Sequence, residues 1–254
     1  MRSFGSLGLI VTFLFCGSAW AADSSDARQP LTTGDKIRVL VVTGGHDFEH
    51  DPFLKLFSAN SGITFRAVEH PNAHALLKPE PAKGWDVLVT YDMHQEITDD
   101  AKADFLARLR DGKGLVVLHH AIASYQQWPE YSKIIGARYY LEKMTVNGVE
   151  KARSTYQHGM HFTVHVVDPG HPVTRGVKDF EIHDETYNLF DVAQDVHPLL
   201  TTDEPESNKL IGWAKTYGPA RVVYLQSGHD HFAYENPNYQ QLLKQAIRWA
   251  AKMD

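Results

Sequence analysis

Short apolar runs alternate along this chain with polar segments of helical spacing. Residues 36–43 (Lys-Ile-Arg-Val-Leu-Val-Val-Thr) are nearly continuous in β-branched and aliphatic side chains, the pattern of a strand covered on both faces. Gly44-Gly45 ends it. Asp51 and Pro52 then read as the cap and first position of a helix to about Asn60, with Phe53, Leu56 and Phe57 on one face and Gly62 stopping it. Residues 63–68 and 85–91 read as further strands, joined by a proline-rich connection over 71–81. Thr98 caps a helix through Arg110, with Ala101, Phe105 and Leu109 at helical spacing. The chain then passes through Gly112-Lys113-Gly114-Leu115-Val116-Val117-Leu118-His119-His120-Ala121: a glycine turn, a buried strand, and two histidines where the strand stops. This β-α-β-β-α-β order predicts an α/β fold with a doubly wound, mostly parallel sheet and helices on both faces.

The second half is less regular. Residues 136–157 read as a lid insertion over the carboxyl edge of the sheet, after a short helix reaching Ile135. Residues 162–167 alternate as a strand does and end at Asp168-Pro169-Gly170. Phe180-Glu181-Ile182 leads into Asp184-Glu185-Thr186-Tyr187, which reads as a loop or short helix. Strand-like runs follow at 198–202, 209–215 and 221–226, and a helix over about 237–252 closes the chain. Neither an internal repeat nor a second linker is visible, so residues 36–254 read as one domain.

The N-terminus changes the picture. Arg2, an apolar run over 7–15 and Ala19-Trp20-Ala21 have the form of a signal peptide over residues 1–22, followed by a polar lead-in over 23–35. The apolar run is short of the ~20 residues that span a bilayer. A periplasmic or secreted protein without a stable membrane span is therefore expected. Cys16 is the only cysteine, so cleavage would leave none, excluding disulfides, thiolate metal sites and a cysteine nucleophile. The net charge of -6, with no run of lysine and arginine, argues against nucleic acid as a partner.

Candidate chemistry gathers at strand ends, where open α/β sheets bind ligands. Three strand-like runs end in histidine: at His46, at His119-His120 and at His229. A histidine there can serve as general base or metal ligand. Adjacent strand residues point to opposite faces, so His119 and His120 both face the site only if the chain turns sharply. Asp230 could orient an imidazole, and Asp184 or Glu185 could supply the carboxylate that acid–base work needs. His46, Glu49 and His50 have the H-x-x-E-H spacing of an inverted zinc protease, but they follow a glycine pair and precede Pro52, where that motif's helix is missing. Tyr125, Trp128, Tyr139 and Tyr187 could stack on a sugar ring, with core packing as the competing use. His161, His165, His171, His183 and His197 read as structural or surface residues.

Together these residues resemble the ThuA-like (trehalose utilisation) family, whose fold is like that of the class I glutamine amidotransferases. The resemblance rests on Val42-Thr43-Gly44-Gly45-His46, on the 112–119 segment, on His171-Pro172-Val173-Thr174-Arg175-Gly176, on Asp184-Glu185-Thr186-Tyr187, on Gly228-His229-Asp230 and on Arg248-Trp249-Ala250. The amidotransferase relatives place a cysteine where this chain has His119-His120-Ala121, so a thioester route is closed to it. The resemblance implies sugar metabolism, on a trehalose-like or other glucoside or its 3-keto derivative, and a divalent metal, zinc first. No nucleotide cofactor is expected. The leading expectation is an exported enzyme with His119, His120, Asp184, Glu185 and His229 as catalytic residues. Tyr125, Trp128, Tyr187 and Asp230 would bind a small-molecule carbohydrate, and His46, His119 and His229 would hold the metal. The alternative is a non-catalytic sugar- or metal-binding protein on the same fold.

Overall fold

β1 (Ile37–Gly44) shows why the first apolar run is continuous. Val39 and Val41 enter one apolar layer, while Leu40 and Val42 enter the other, so every position of the strand except Arg38 is buried. The structure is a computed structural model that describes Met1 and residues 35–254. The expected signal peptide, Met1 apart, and the lead-in up to residue 34 lie outside the described residues. Among the described residues no helix is long and apolar enough to cross a membrane.

After β1 come α1 (His50–Ser58), β2 (Ile63–Glu69), a 3-10 turn (Asn72–Leu77), α2 (Pro79–Ala82), β3 (Val87–Asp92), α3 (Asp99–Arg110) and β4 (Gly114–Leu118). A second 3-10 turn (His119–Ala123) leads to α4 (Pro129–Ile135), β5 (Ala137–Arg138), β6 (Met144–Val146) and β7 (Val149–Lys151). Then follow β8 (Thr155–Val166), β9 (Phe180–Asn188), β10 (Asp191–Val192), β11 (His197–Thr201), β12 (Leu210–Tyr217), β13 (Ala220–Leu225), α5 (His231–Tyr234) and α6 (Pro237–Ala250).

The main sheet has nine strands in the order β2-β1-β3-β4-β13-β12-β11-β8-β9. β2, β1, β3, β4 and β13 run parallel, as the first half of the sequence predicts, and β12, β11, β8 and β9 extend the sheet antiparallel. α1 and α6 cover one face with Phe53, Phe57, Leu242 and Ile247; α3 and α4 cover the other with Phe105, Leu109, Ile134 and Ile135. The parallel pairing of β4 with β13 sets Leu118 beside Leu225, so His119 and the 226–229 segment leave the sheet side by side.

Two expectations change. Asp184, Glu185, Thr186 and Tyr187 lie inside strand β9, not in a loop or short helix, and all four are buried. β8 begins at Thr155, well before the alternating segment at 162. The polar stretch from Tyr156 to Gly159 hid the strand, because its partners are the polar residues of β9 and not an apolar core. β8 joins β11 only through His165 and Val166. The rest of the β8–β9 hairpin reaches the ends of β4 and β13, where Glu185 meets His119 and Asp184 meets Gly228. Residues 136–157, expected as a lid, supply β5, the β6–β7 hairpin and the start of β8.

Phe53 is fully buried and stacks on Tyr91 with ring centroids 4.1 Å apart, so α1 also packs the underside of the strand-end loops. Phe53→Ala should cost about 3–5 kcal/mol of folding stability, read from urea unfolding; a loss of less than about 1 kcal/mol would contradict this packing.

Candidate functional site

His119 turns the chain. Its φ of 51° lies in the left-handed region, sparsely used by non-glycine residues, and it ends β4 abruptly in the 3-10 turn. Holding such a backbone costs about 1–3 kcal/mol and persists only where the surroundings impose it. The turn resolves the face problem. Both imidazoles point inward, His119 toward β9 and His120 toward Tyr91, with ring centroids 5.3 Å apart.

His119 Nδ1 lies 2.6 Å from the Gln226 carbonyl oxygen, so Nδ1 carries a hydrogen and donates it. In a neutral ring, Nε2 is then a bare lone pair. It lies 2.8 Å from the Tyr187 hydroxyl, 3.0 Å from Glu185 Oε2 and 3.3 Å from His229 Nδ1. The tyrosine can donate to it; a carboxylate oxygen cannot. A positive centre has to reconcile the lone pair with the carboxylate, either a second proton on His119 or a bound cation. His119, Glu185 and His229 could hold a metal ion, since their ligand atoms all lie within 4.8 Å of one another. Two imidazoles and a carboxylate form a donor set that leaves positions open for water or substrate. Burial pushes the Glu185 carboxyl up, but hydrogen bonds from His119 and His229 outweigh it and hold the group well below the usual carboxylate range. The hydrogen bond to Glu185 raises His229 against the effect of its partial burial.

The loop that carries His229 is fixed from beneath. The Gly228 and His229 backbone N–H groups donate to the two oxygens of Asp184, at 2.8 and 2.9 Å, and the Glu185 N–H donates to Asp184 as well. Burial pushes the Asp184 carboxyl up while these donors pull the other way. Tyr91 donates to the Gly228 carbonyl at 2.7 Å, and Tyr234 to that of His229 at 3.0 Å. Gly228 sits at φ 124°, and a Cβ there would overlap the Tyr239 hydroxyl. This glycine lets α6 approach the loop closely.

His120 is 4% exposed, and neither ring nitrogen makes a well-formed hydrogen bond. Burial, with the His119 and His46 rings adding to it, holds His120 well below the usual imidazole range; contact with the Tyr91 backbone and with Glu185 offsets only part. Exposed His46 stacks over it at 4.5 Å.

The expected site residues divide accordingly. His119, His229, Glu185 and Tyr187 converge, with Asp184 holding the backbone beneath them. His46, expected as a metal ligand, stands apart from these ligand atoms on the far side of His120. Asp230, expected to touch substrate or orient an imidazole, caps α5 by accepting from the Phe232 N–H. Tyr125 and Trp128, expected to meet a sugar, are buried at 3% and 8% and pack with Phe105 and Tyr131 in the core. The residues 46, 49 and 50 do not converge: Glu49 pairs with His231, and His50 stacks on Phe48. His158 was missed. Its Nδ1 lies 3.1 Å from Glu185 Oε1, and its one mark in the sequence is Gly159 beside it, since an isolated glycine in a strand often signals a bulge.

Fold and site together define an α/β protein with a histidine–carboxylate centre at the carboxyl ends of its parallel strands. The chain belongs to the ThuA family, whose model, described as trehalose utilisation, matches residues 38–250. A ThuA-like protein from Parabacteroides merdae has the same fold at TM-score 0.69 and 20% identity, over 85% of this chain and 90% of that one. One from Bacteroides uniformis aligns at 0.63 and 19%, over 88% and 94%. A glutamine amidotransferase from Thermotoga maritima aligns at 0.50 and 12%, over 85% and 98%. No curated protein matches the chain.

The pH dependence of the metal-free protein follows from the Glu185–His229 shifts. The depressed Glu185 contributes stability that is complete above its unfolded-state pKa, about 4.3, and is lost as pH falls through the folded value. The raised His229 contributes stability that is complete below about 6.5 and is lost as pH rises through its folded value. With chelator present, the stability advantage of wild type over Glu185→Gln should therefore be largest between about pH 4.3 and 6.5. A difference in urea midpoint that stays flat from pH 4 to 9 would contradict the pairing.

Proposed function

We propose that this chain is an exported carbohydrate-processing enzyme of the ThuA type, acting on a trehalose-like or other glucoside or its 3-keto derivative. The observation that carries this reading is the convergence of His119 Nε2, Glu185 Oε2 and His229 Nδ1, atoms able to ligate a metal that all lie within 4.8 Å of one another. His119, Glu185 and His229 would hold a divalent metal, with zinc the first ion to test. Such an ion would supply Lewis-acid stabilisation to an oxygen that gains negative charge. The signal-like segment of Arg2, the 7–15 run and Ala19-Trp20-Ala21 supports a periplasmic or secreted location.

The residues around that centre suit proton transfer beside a carbonyl. In a 3-keto glucoside the C2 hydrogen is acidified by the neighbouring ketone. Both ring nitrogens of buried His120 lack a hydrogen-bond partner, so one is available to take that proton. The C1–O bond lies β to the carbonyl, so its electron pair can leave with the glycosidic oxygen, which takes the proton from the base and departs as the alcohol, as the C1–C2 double bond forms. Addition of water across that bond completes a hydrolysis. Tyr187, hydrogen-bonded to His119, keeps the His119 ring oriented through the step. Asp184 acts through the backbone of Gly228 and His229 and does not meet substrate.

Elemental analysis of the purified protein, paired with assays on glucosides and their 3-keto derivatives, tests this. Wild type should carry about one equivalent of a divalent metal, and His119→Ala, Glu185→Ala and His229→Ala should lose it. His120→Ala should retain the metal and lose about 10²–10⁴-fold in turnover, the usual contribution of a general base. Full metal with ligand binding but no turnover on any glucoside would favour the binding-protein alternative. Absence of metal from wild type after reconstitution would overturn the cation reading.

A further inference from the structure

We infer that His158, at a bulge in β8 opposite Glu185, is a positioning residue of this site, which holds Glu185 from the solvent side so that Oε2 stays on His119 and His229. The inference rests on reading the three converging residues as a cation site. Along the β8–β9 ladder, Gln157 lies opposite Thr186 and Met160 opposite Asp184. Two residues, His158 and Gly159, therefore face the single residue Glu185. That is the arrangement of a bulge whose glycine takes the left-handed conformation, and Gly159 has φ 67°. A Cβ at Gly159 would come no closer than 3.6 Å to its neighbours, so the backbone, not crowding, calls for glycine.

Counted from the Gln157–Thr186 pair, His158 falls opposite Glu185 on the same face of the ladder, and Gly159 is the extra residue before pairing resumes at Met160 and Asp184. His158 Nδ1 sits 3.1 Å from Glu185 Oε1, and its ring lies 4.7 Å from that of His229. The two oxygens of Glu185 are thereby divided. Oε1 takes the rim imidazole; Oε2 faces His119 at 3.0 Å and His229 at 3.5 Å. The side chain of His158 is 57% exposed and that of Glu185 6%, so His158 closes the carboxylate off from solvent while remaining on the rim. His158 lies outside the set of residues whose ligand atoms all approach within 4.8 Å. Its action therefore passes through Glu185, as partners of metal-binding carboxylates commonly act.

The test uses the full chain with zinc(II) and cobalt(II) as probes. His158→Ala should weaken zinc affinity, measured by chelator competition, by about 10–100-fold. The cobalt(II) absorption bands should keep their positions and intensity, because no ligand is removed. His158→Asn, whose amide N–H can replace the Nδ1 donor, should recover most of the affinity. Gly159→Ala should lose affinity in the same direction by disturbing the bulge. Unchanged affinity in His158→Ala would overturn the inference, and so would a loss that asparagine fails to rescue while the cobalt bands shift, since that marks a direct ligand. A second readout needs no metal. In chelator-treated protein, the urea midpoints of His158→Ala, Glu185→Gln and the double variant should be non-additive; additive shifts would overturn the contact. If wild type binds neither ion, the cation reading fails and this coupling alone decides the role of His158.

Discussion

Everything at the carboxyl edge depends on one electrostatic constraint. His119 donates from Nδ1 to the Gln226 carbonyl, which turns the lone pair of Nε2 toward Glu185 and His229. Positive charge, on a protonated imidazole or a bound cation, stabilises that arrangement. The surrounding structure is arranged to keep it: the φ of 51° at His119 aims the ring, the Asp184 carboxylate pins two successive N–H groups of the opposite loop, and buried Tyr91 and Tyr234 anchor that loop's carbonyls. A strained backbone and a fully buried carboxylate would each destabilise an ordinary loop. They occur together here because each helps fix the position of an imidazole.

The parallel half of the fold was legible because its physics is simple. A strand covered on both faces must be apolar at every position, and β1, β3 and β4 are nearly so. Strand ends carrying His119 and His229 then pointed to a shared site, since β4 and β13 run side by side. The β8–β9 hairpin was not legible for the opposite reason. Its inward residues face polar partners, so Asp184, Glu185 and Thr186 carry no apolar alternation although they lie in a strand and are buried.

Residue type alone also misled. Tyr125 and Trp128 have the composition of a sugar platform, but they lie among Phe105, Tyr131 and Ile134 in the core. His46 sits at a strand end as expected, yet the glycines before it carry it over His120 and away from Glu185. Strand-end placement brings a residue to the edge of the sheet; it does not set where the side chain points. His158 illustrates the reverse case. An unremarked polar residue reaches the centre because the ladder sets it opposite Glu185, at a bulge completed by Gly159.

The fold is shared with glutamine amidotransferase-like proteins, and at the strand-to-helix turn this chain has His119-His120-Ala121. At that turn one imidazole joins a carboxylate-bearing cluster and the other is buried beside it. The most direct test of this account is anomalous diffraction from crystals of the full chain soaked in zinc, recorded at the zinc absorption edge. The account predicts one strong peak bounded by His119 Nε2, Glu185 Oε2 and His229 Nδ1. No peak there, or a peak only on surface histidines, would contradict it.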